Sequence, residues 1–190
     1  LILAEVERLN RLFQNILDMA RLDAGGVSAD RRWVHPAEVV EAARTQVEPA
    51  LRGRRVTVQS ADDTLIRLDP RLTTAALAHL LENAAQYSPV DGTVDVEARV
   101  DDEGLRVSVR DHGPGIAPED LPRLFDRFYR GGAGRHRTSG TGMGLSIARG
   151  VLAVEQGRLW AENCHDGGAR FTMVVPGEIK EEDGQEALSE

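Results

Sequence analysis

Three glycines at alternate positions, Gly140, Gly142 and Gly144, stand directly before the apolar run "LSIARGVLAV". Glycine is a poor former of helix and of strand, so its place at a helix start asks for another reason. Without Cβ atoms in the way, backbone N–H groups ahead of a helix can face a phosphate, and the positive end of the helix adds to the attraction. The stretch lacks the Lys-Ser/Thr of a P-loop and does not follow a strand as a dinucleotide fingerprint does. A second candidate is "DHGPGI", residues 111–116. Its Asp111 either accepts a hydrogen bond from an exocyclic amine, as on adenine, or closes an ordinary strand-to-loop turn. A third is Asn83, inside a helical pattern where an amide competes for backbone bonds. It is either a solvent-facing residue or one whose amide oxygen coordinates a hard cation such as Mg²⁺. In "LPRLFDRFYRGG", residues 121–132, Leu124, Phe125 and Phe128 read as a loop anchor. Arg127 and Arg130 there form a solvated face or make forked contacts to phosphate.

These stretches need elements to hold them. Residues 1–24 repeat apolar residues at helical spacing: Leu9, Phe13, Ile16 and Ala20 share a stripe, flanked by Val6, Leu12, Leu17 and Met19. The stripe is wide, so the helix is expected to pack against other helices, and Gly25-Gly26 ends it. Residues 25–31 read as a linker, followed by a short strand around Trp33–His35 and a helix over 37–51 behind Pro36. Strands follow near 54–59 and 64–68. A helix over 70–87 is expected, with Asp69 as N-cap and Pro70 at its first position. Alternation predicts a hairpin of 93–100 and 105–111. After it come a short helix around 118–124, a glycine-rich mobile loop over 131–142, a helix over 143–156, and strands near 158–162 and 169–175. The acidic end, 178–190, is expected to be disordered. The fold class is α+β: a two-layer sandwich of a mixed, mostly antiparallel sheet with helices on one face, preceded by a single long helix.

Composition bounds the function. The 190 residues carry 28% charged and 41% hydrophobic side chains, an ordinary globular balance. The net charge of −8 argues against general nucleic-acid binding, so a site for a polyanion must concentrate positive charge locally. No apolar run approaches the roughly 20 residues of a membrane span. The single cysteine, Cys164, precludes an internal disulfide and reads as a packing residue rather than a nucleophile. The five histidines show no zinc-ligand spacing. The chain starts at Leu1 rather than Met, which suggests a piece of a longer protein.

The set and its order are specific where each piece alone is not. An Asn in a helix, Asp-x-Gly-x-Gly after a strand, a Phe-rich element and Gly-x-Gly-x-Gly opening a helix together resemble the ATP-binding domain of sensor histidine kinases. That domain belongs to an ATPase superfamily shared with type II topoisomerases, a large heat-shock chaperone and mismatch-repair proteins. The resemblance covers about residues 32–177. The segment "RLNRLFQNILDMARLDAGG" is similar to the second helix of the dimerisation and phosphotransfer hairpin, and "NILDMARLDAGG" with the following tryptophan resembles the potassium-responsive sensor kinases.

The resemblance implies that Asn83 binds Mg²⁺, that Asp111 pairs with the adenine amino group, and that Gly113 and Gly115 let the base approach beside Ile116. It implies that Arg130 reaches the ATP phosphates, and that Gly140, Thr141, Gly142, Met143, Gly144 and Leu145 border them. Residues 131–142 then form an ATP lid, with Arg135 and Arg137 adding charge. Gln86, Tyr87 and Thr172 complete the expected nucleotide site. Two positions depart from the usual pattern. His79 stands where these kinases commonly have Asn and hydrolysing relatives a catalytic Glu. It is expected to contact phosphate or Mg²⁺-bound water, to act as a weak base, or to be an ordinary helix-face histidine. Gln86 stands where Lys is frequent. No histidine has the His-Glu/Asp setting of a phosphoacceptor, so the acceptor helix is expected before Leu1. The resulting expectation is the ATP-binding, catalytic part of a two-component sensor histidine kinase. Its partners would be its own upstream phosphotransfer helix, a response regulator and a second copy of the full protein, with a cytoplasmic location and no direct membrane contact from this part. The alternatives are an ATP-hydrolysing relative and a docking module that retains only the fold.

Overall fold

The structure is a computed structural model that describes residues 2–60, 64–131 and 141–181, without the side chains of residues 2–5, 7, 8 and 11. Helix α1 (Ile2–Asp23) precedes the strand β1 (Arg32–Val34) and the helices α2 (Pro36–Gln46) and α3 (Glu48–Leu51). Strands β2 (Arg55–Ser60) and β3 (Thr64–Leu68), helix α4 (Pro70–Tyr87) and the hairpin β4 (Thr93–Asp101) and β5 (Gly104–Arg110) follow. A 3-10 turn at Leu121–Arg123, helix α5 (Gly144–Val154) and strands β6 (Arg158–Asn163), β7 (Ala169–Val175) and β8 (Glu178–Glu181) complete the order.

The main sheet has five strands in the order β2-β4-β5-β7-β6. Only β2 and β4 pair in parallel; the other neighbours are antiparallel. Alternation sends Val94, Val96, Ala98, Val107, Val109, Phe171 and Met173 to one face, where all are buried. Helices α2, α4 and α5 cover that face with Val39, Val40, Ala43, Leu77, Leu80, Leu81, Ile147 and Leu152. Each Val, Leu, Ile, Phe or Met side chain among them contributes about 1.5–3 kcal/mol on removal from water. The opposite face carries Asp95, Glu97, Arg99 and Arg106, so the sandwich has two layers as its alternation implies. A second, three-stranded sheet, β1-β3-β8, sits apart from the first and was not foreseen.

Four expectations need correction. The helix expected over 37–51 is two helices, because Pro49 has no N–H to continue the ladder across Val47. The segment 118–124 forms only a 3-10 turn, with Pro122 in its first positions. Residues 178–181, expected to be disordered, form β8 antiparallel to β3, with Ile66 opposite Ile179. Acidic composition describes solvation, and an exposed edge strand needs backbone partners more than an apolar face. Residues 182–190 and 132–140, including most of the expected loop, lie outside the described residues.

The fourth correction concerns α1. Its expected central stripe stays open: Leu9, Phe13 and Ile16 are 56%, 65% and 46% exposed. The helix packs through the neighbouring row instead. Met19 is buried, and Leu12 and Leu22 rest on the core. A Cβ at Gly150 of α5 would lie 3.1 Å from Leu22 Cδ1, so this glycine lets α1 approach closely.

Candidate nucleotide site

Helix α4 is the ruler of the site. The Asp69 side chain accepts hydrogen bonds from the N–H groups of Arg71 and Leu72, capping the helix as its sequence predicts. Its apolar positions Ala76, Leu77, Leu80, Leu81 and Ala84 are buried, which turns His79, Glu82, Asn83, Gln86 and Tyr87 toward a hollow of about 350 Å³. Tyr87 stands eight positions after His79, about 12 Å along the helix. Asn83 stands midway.

At the Tyr87 end lies Asp111, the first residue past β5 and only 2% exposed. Its Oδ1 accepts both the Gly113 N–H, at 2.9 Å, and the Ala169 N–H, at 3.3 Å. Its backbone N–H donates to the Ala169 carbonyl. Among the described residues nothing donates to Oδ2, so that oxygen is available to a ligand amine in the hollow. Burial pushes the Asp111 carboxyl above the usual carboxylate range, against the lowering by those two N–H groups. Gly113 is fixed by space: a Cβ there would come within 2.5 Å of the Tyr87 carbonyl oxygen. Beyond it, Asn163 clamps Ile116 twice. Its Oδ1 accepts the Ile116 N–H and its Nδ2 donates to the Ile116 carbonyl, both at 2.7 Å.

At the His79 end lies the N-terminus of α5. Among the described residues no side chain caps it, so its first-turn N–H groups are open to an anion. Gly144 faces the imidazole, with a Cβ there 3.5 Å from His79 Nδ1. Gly142 has φ +71°, and a Cβ would sit 2.9 Å from the Tyr129 carbonyl oxygen. The loop thus turns into the helix only with glycine at that position. Arg130 lines the same end, half-buried, and Tyr129 donates its hydroxyl to the buried Asp120.

The structure therefore brings His79, Asn83, Gln86, Tyr87, Asp111, Gly115, Ile116, Arg130, Thr141, Gly142, Gly144 and Leu145 to one hollow. Gly113 stands behind Asp111, and Met143 is buried as the residue preceding α5. Thr172 is a correction. Strand alternation points Phe171 into the hollow and Thr172 to the opposite face, where its hydroxyl pairs with Ser108 at 3.1 Å. Ala169 and Phe171 are the β7 residues that line the site. Arg135, Arg137 and Gly140 lie outside the described residues. The Phe-rich stretch divides: Leu124 packs on the core, Phe125 is half-buried, and Phe128 is 65% exposed with φ +60°. Arg127 pairs with Asp23. Cys164 is half-buried.

Sequence reasoning missed Asn15, Arg54, Glu82 and Asn163. Asn15 reaches the hollow from α1 and donates to Thr141 Oγ1 at 3.1 Å; nothing local distinguishes it from a solvent-facing residue. Glu82 had a readable signal, its i,i+3 spacing from His79.

For a cation, the Asn83 oxygen and the His79 imidazole are donors that fit a divalent ion. Among the described residues no group of three or more His, Cys, Asp or Glu side chains is placed to hold a metal. An ion here would complete its shell with water and ligand oxygens. Among the described residues no helix is long and apolar enough to cross a membrane.

Residues 68–179 match the family described as histidine kinase-, DNA gyrase B-, and HSP90-like ATPase. The chain is 36% identical over 166 residues to the sensor protein KdpD of Escherichia coli K12, covering 87% of this chain and 18% of that protein. It is 37% identical over 178 residues to the histidine-protein kinase AfsQ2 of Streptomyces coelicolor, covering 93% of this chain and 32% of the relative. Among solved structures it resembles full-length ShkA in complex with AMPPNP, with TM-score 0.76 and 26% identity, over 91% of this chain and 36% of that one. The chain thus spans less than half the length of these relatives.

Proposed function

The chain belongs to the histidine kinase-, DNA gyrase B-, and HSP90-like ATPase family, and from that premise we propose that it is the nucleotide-binding, phosphoryl-donating region of a two-component sensor histidine kinase. One observation carries the reading. A buried carboxylate with an open oxygen stands at one end of a hollow, an uncapped helix N-terminus stands at the other, and Asn83 lies between them.

The base goes to Asp111, whose Oδ2 accepts from the adenine amino group while Gly113 leaves it room. The triphosphate runs along α4 toward the N–H groups of α5, with Arg130 beside it. Asn83 offers its oxygen to Mg²⁺, which when bound neutralises phosphate charge. The residues of this chain then orient the terminal phosphate and keep water away. Helix α1 serves as the second helix of a phosphotransfer hairpin. Its open Leu9–Phe13–Ile16 row faces the rest of that hairpin in a homodimer of the full protein. The acceptor histidine lies on the preceding helix, and the phosphoryl group passes on to a response regulator in the cytoplasm.

The test is to supply the chain with the hairpin segment of its parent protein and ATP labelled on the γ-phosphate. Acid-labile, base-stable label on the hairpin is the expected result. Steady phosphate release by the chain alone, without transfer, would favour an ATP-hydrolysing enzyme instead.

A further inference from the structure

We infer that His79 is a direct ligand of the divalent cation that accompanies the nucleotide, and that this site favours Mn²⁺ over Mg²⁺; the inference rests on the nucleotide reading above. His79 and Asn83 stand four residues apart on α4, which puts their Cβ atoms about 5–6 Å apart on one face. Both line the hollow. Two residues stand at one edge of the imidazole. Its Nδ1 edge faces Glu82 Oε2 at 3.6 Å, beyond hydrogen-bond distance. Gly144 lies on the same side, where a Cβ would stand 3.5 Å from Nδ1. Nε2 is left as the free nitrogen, with no hydrogen bond from the described residues. Metal-ligating histidines donate their other ring N–H to a carboxylate, a backbone carbonyl or water, and Glu82 is a carboxylate near enough to take that role once an ion holds Nε2.

The donor set decides the ion. Mg²⁺ demands oxygen ligands in a near-ideal octahedron and gives up water reluctantly. Exchanging an amide oxygen for an imidazole nitrogen at this position shifts preference toward first-row transition ions, which accept nitrogen readily. Mn²⁺ also keeps the oxygen affinity needed for Asn83 and phosphate. No atom of the chain changes oxidation state; the claim concerns coordination only.

Two readouts test it on the chain as it stands, with AMPPNP as the probe. Pulsed electron paramagnetic resonance of Mn²⁺·AMPPNP on the protein should show coupling to an imidazole nitrogen, lost in His79→Asn. Calorimetric titration should show the ratio of Mn²⁺- to Mg²⁺-supported affinity falling about tenfold or more in the same variant, with a thermal melt confirming that the variant folds. Nucleotide binding without nitrogen coupling, or an unchanged ion ratio in His79→Asn, overturns the ligand assignment and leaves the nucleotide reading intact. Absence of adenine nucleotide binding with either ion, or with none, defeats the nucleotide reading itself.

Discussion

The Arg127 guanidinium grips both carboxylate oxygens of Asp23, joining the last turn of α1 to the segment that leads to Arg130. A second tie, Asn15 to Thr141, links the same helix to the residues just before α5. Both partners of the ion pair are half exposed, so its weight in global stability is small. Its effect is local: it decides where α1 rests. Arg127→Ala is therefore expected to leave the melting temperature almost unchanged and to speed amide hydrogen exchange in residues 12–23. Exchange followed by mass spectrometry reads both α1 and α4, and unaltered protection in α1 would contradict the assignment.

Asp111 separates stability from binding. Burial raises its carboxyl above the ordinary range, so its folded-state contribution is fully present below the unfolded value and is lost as pH rises through the folded one. At neutral pH the ionised group weakens the nucleotide-free fold. Asp111→Asn keeps an oxygen for the Gly113 and Ala169 N–H groups and removes the charge. The variant is expected to melt higher than the parent at pH 7, with the gain vanishing once pH falls below the ordinary carboxylate range. Its amide nitrogen then meets the adenine amine donor to donor, and nucleotide affinity is expected to drop about 10- to 100-fold. Thermal melts across pH, with and without nucleotide, check both parts.

Glu155 makes a different prediction from the same physics. It is fully buried at the end of α5, and its two oxygens accept from the Asp69 N–H at 2.6 Å and the Thr73 hydroxyl at 2.8 Å. Burial, and then the neighbouring Asp69, push its carboxyl up. Asp69 is itself held below its usual range: burial opposes this, but the Arg71 guanidinium and several backbone N–H groups outweigh it. Glu155→Ala orphans two buried donors and is expected to cost about 2–4 kcal/mol. Glu155→Gln keeps an acceptor for Asp69 and drops the charge, so it is expected to lie near or above the parent at neutral pH. Chemical denaturation of the three proteins tells these apart, and equal losses in both variants would contradict it.

Gln86 lines the hollow and is exposed to it. A lysine there would add a charge near the phosphates, so Gln86→Lys is expected to strengthen nucleotide binding, and the gain should shrink as salt is raised. Calorimetry at two ionic strengths reads this; unchanged or weaker affinity would show that residue 86 faces away from phosphate.

Much of this arrangement was legible in the chain, and the failures have physical reasons. Helix α4 was predicted over 70–87 and observed there, because Asp69, Pro70 and an uninterrupted apolar row all mark the same element. Asp111 and the glycines around it were legible because their types suit only a few backbone and ligand environments. Thr172 was misplaced because adjacent strand residues point to opposite faces, and Phe171 takes the inner one. On α1 the periodicity was right but its partner was not. Two apolar rows share that helix, and sequence alone does not say which row meets α5 and which stays open. Asn15, Arg54 and Asn163 act through contacts with residues far along the chain, which no local pattern records.

The central claim is that Asp111 and the start of α5 belong to one adenine nucleotide site. Isothermal titration of AMPPNP with a divalent cation into the chain and into Asp111→Ala tests it most directly. The account predicts saturable binding in the parent chain and its loss in the variant, with both proteins folded. No saturable heat at millimolar nucleotide in the parent, or equal affinity in the two proteins, would contradict it.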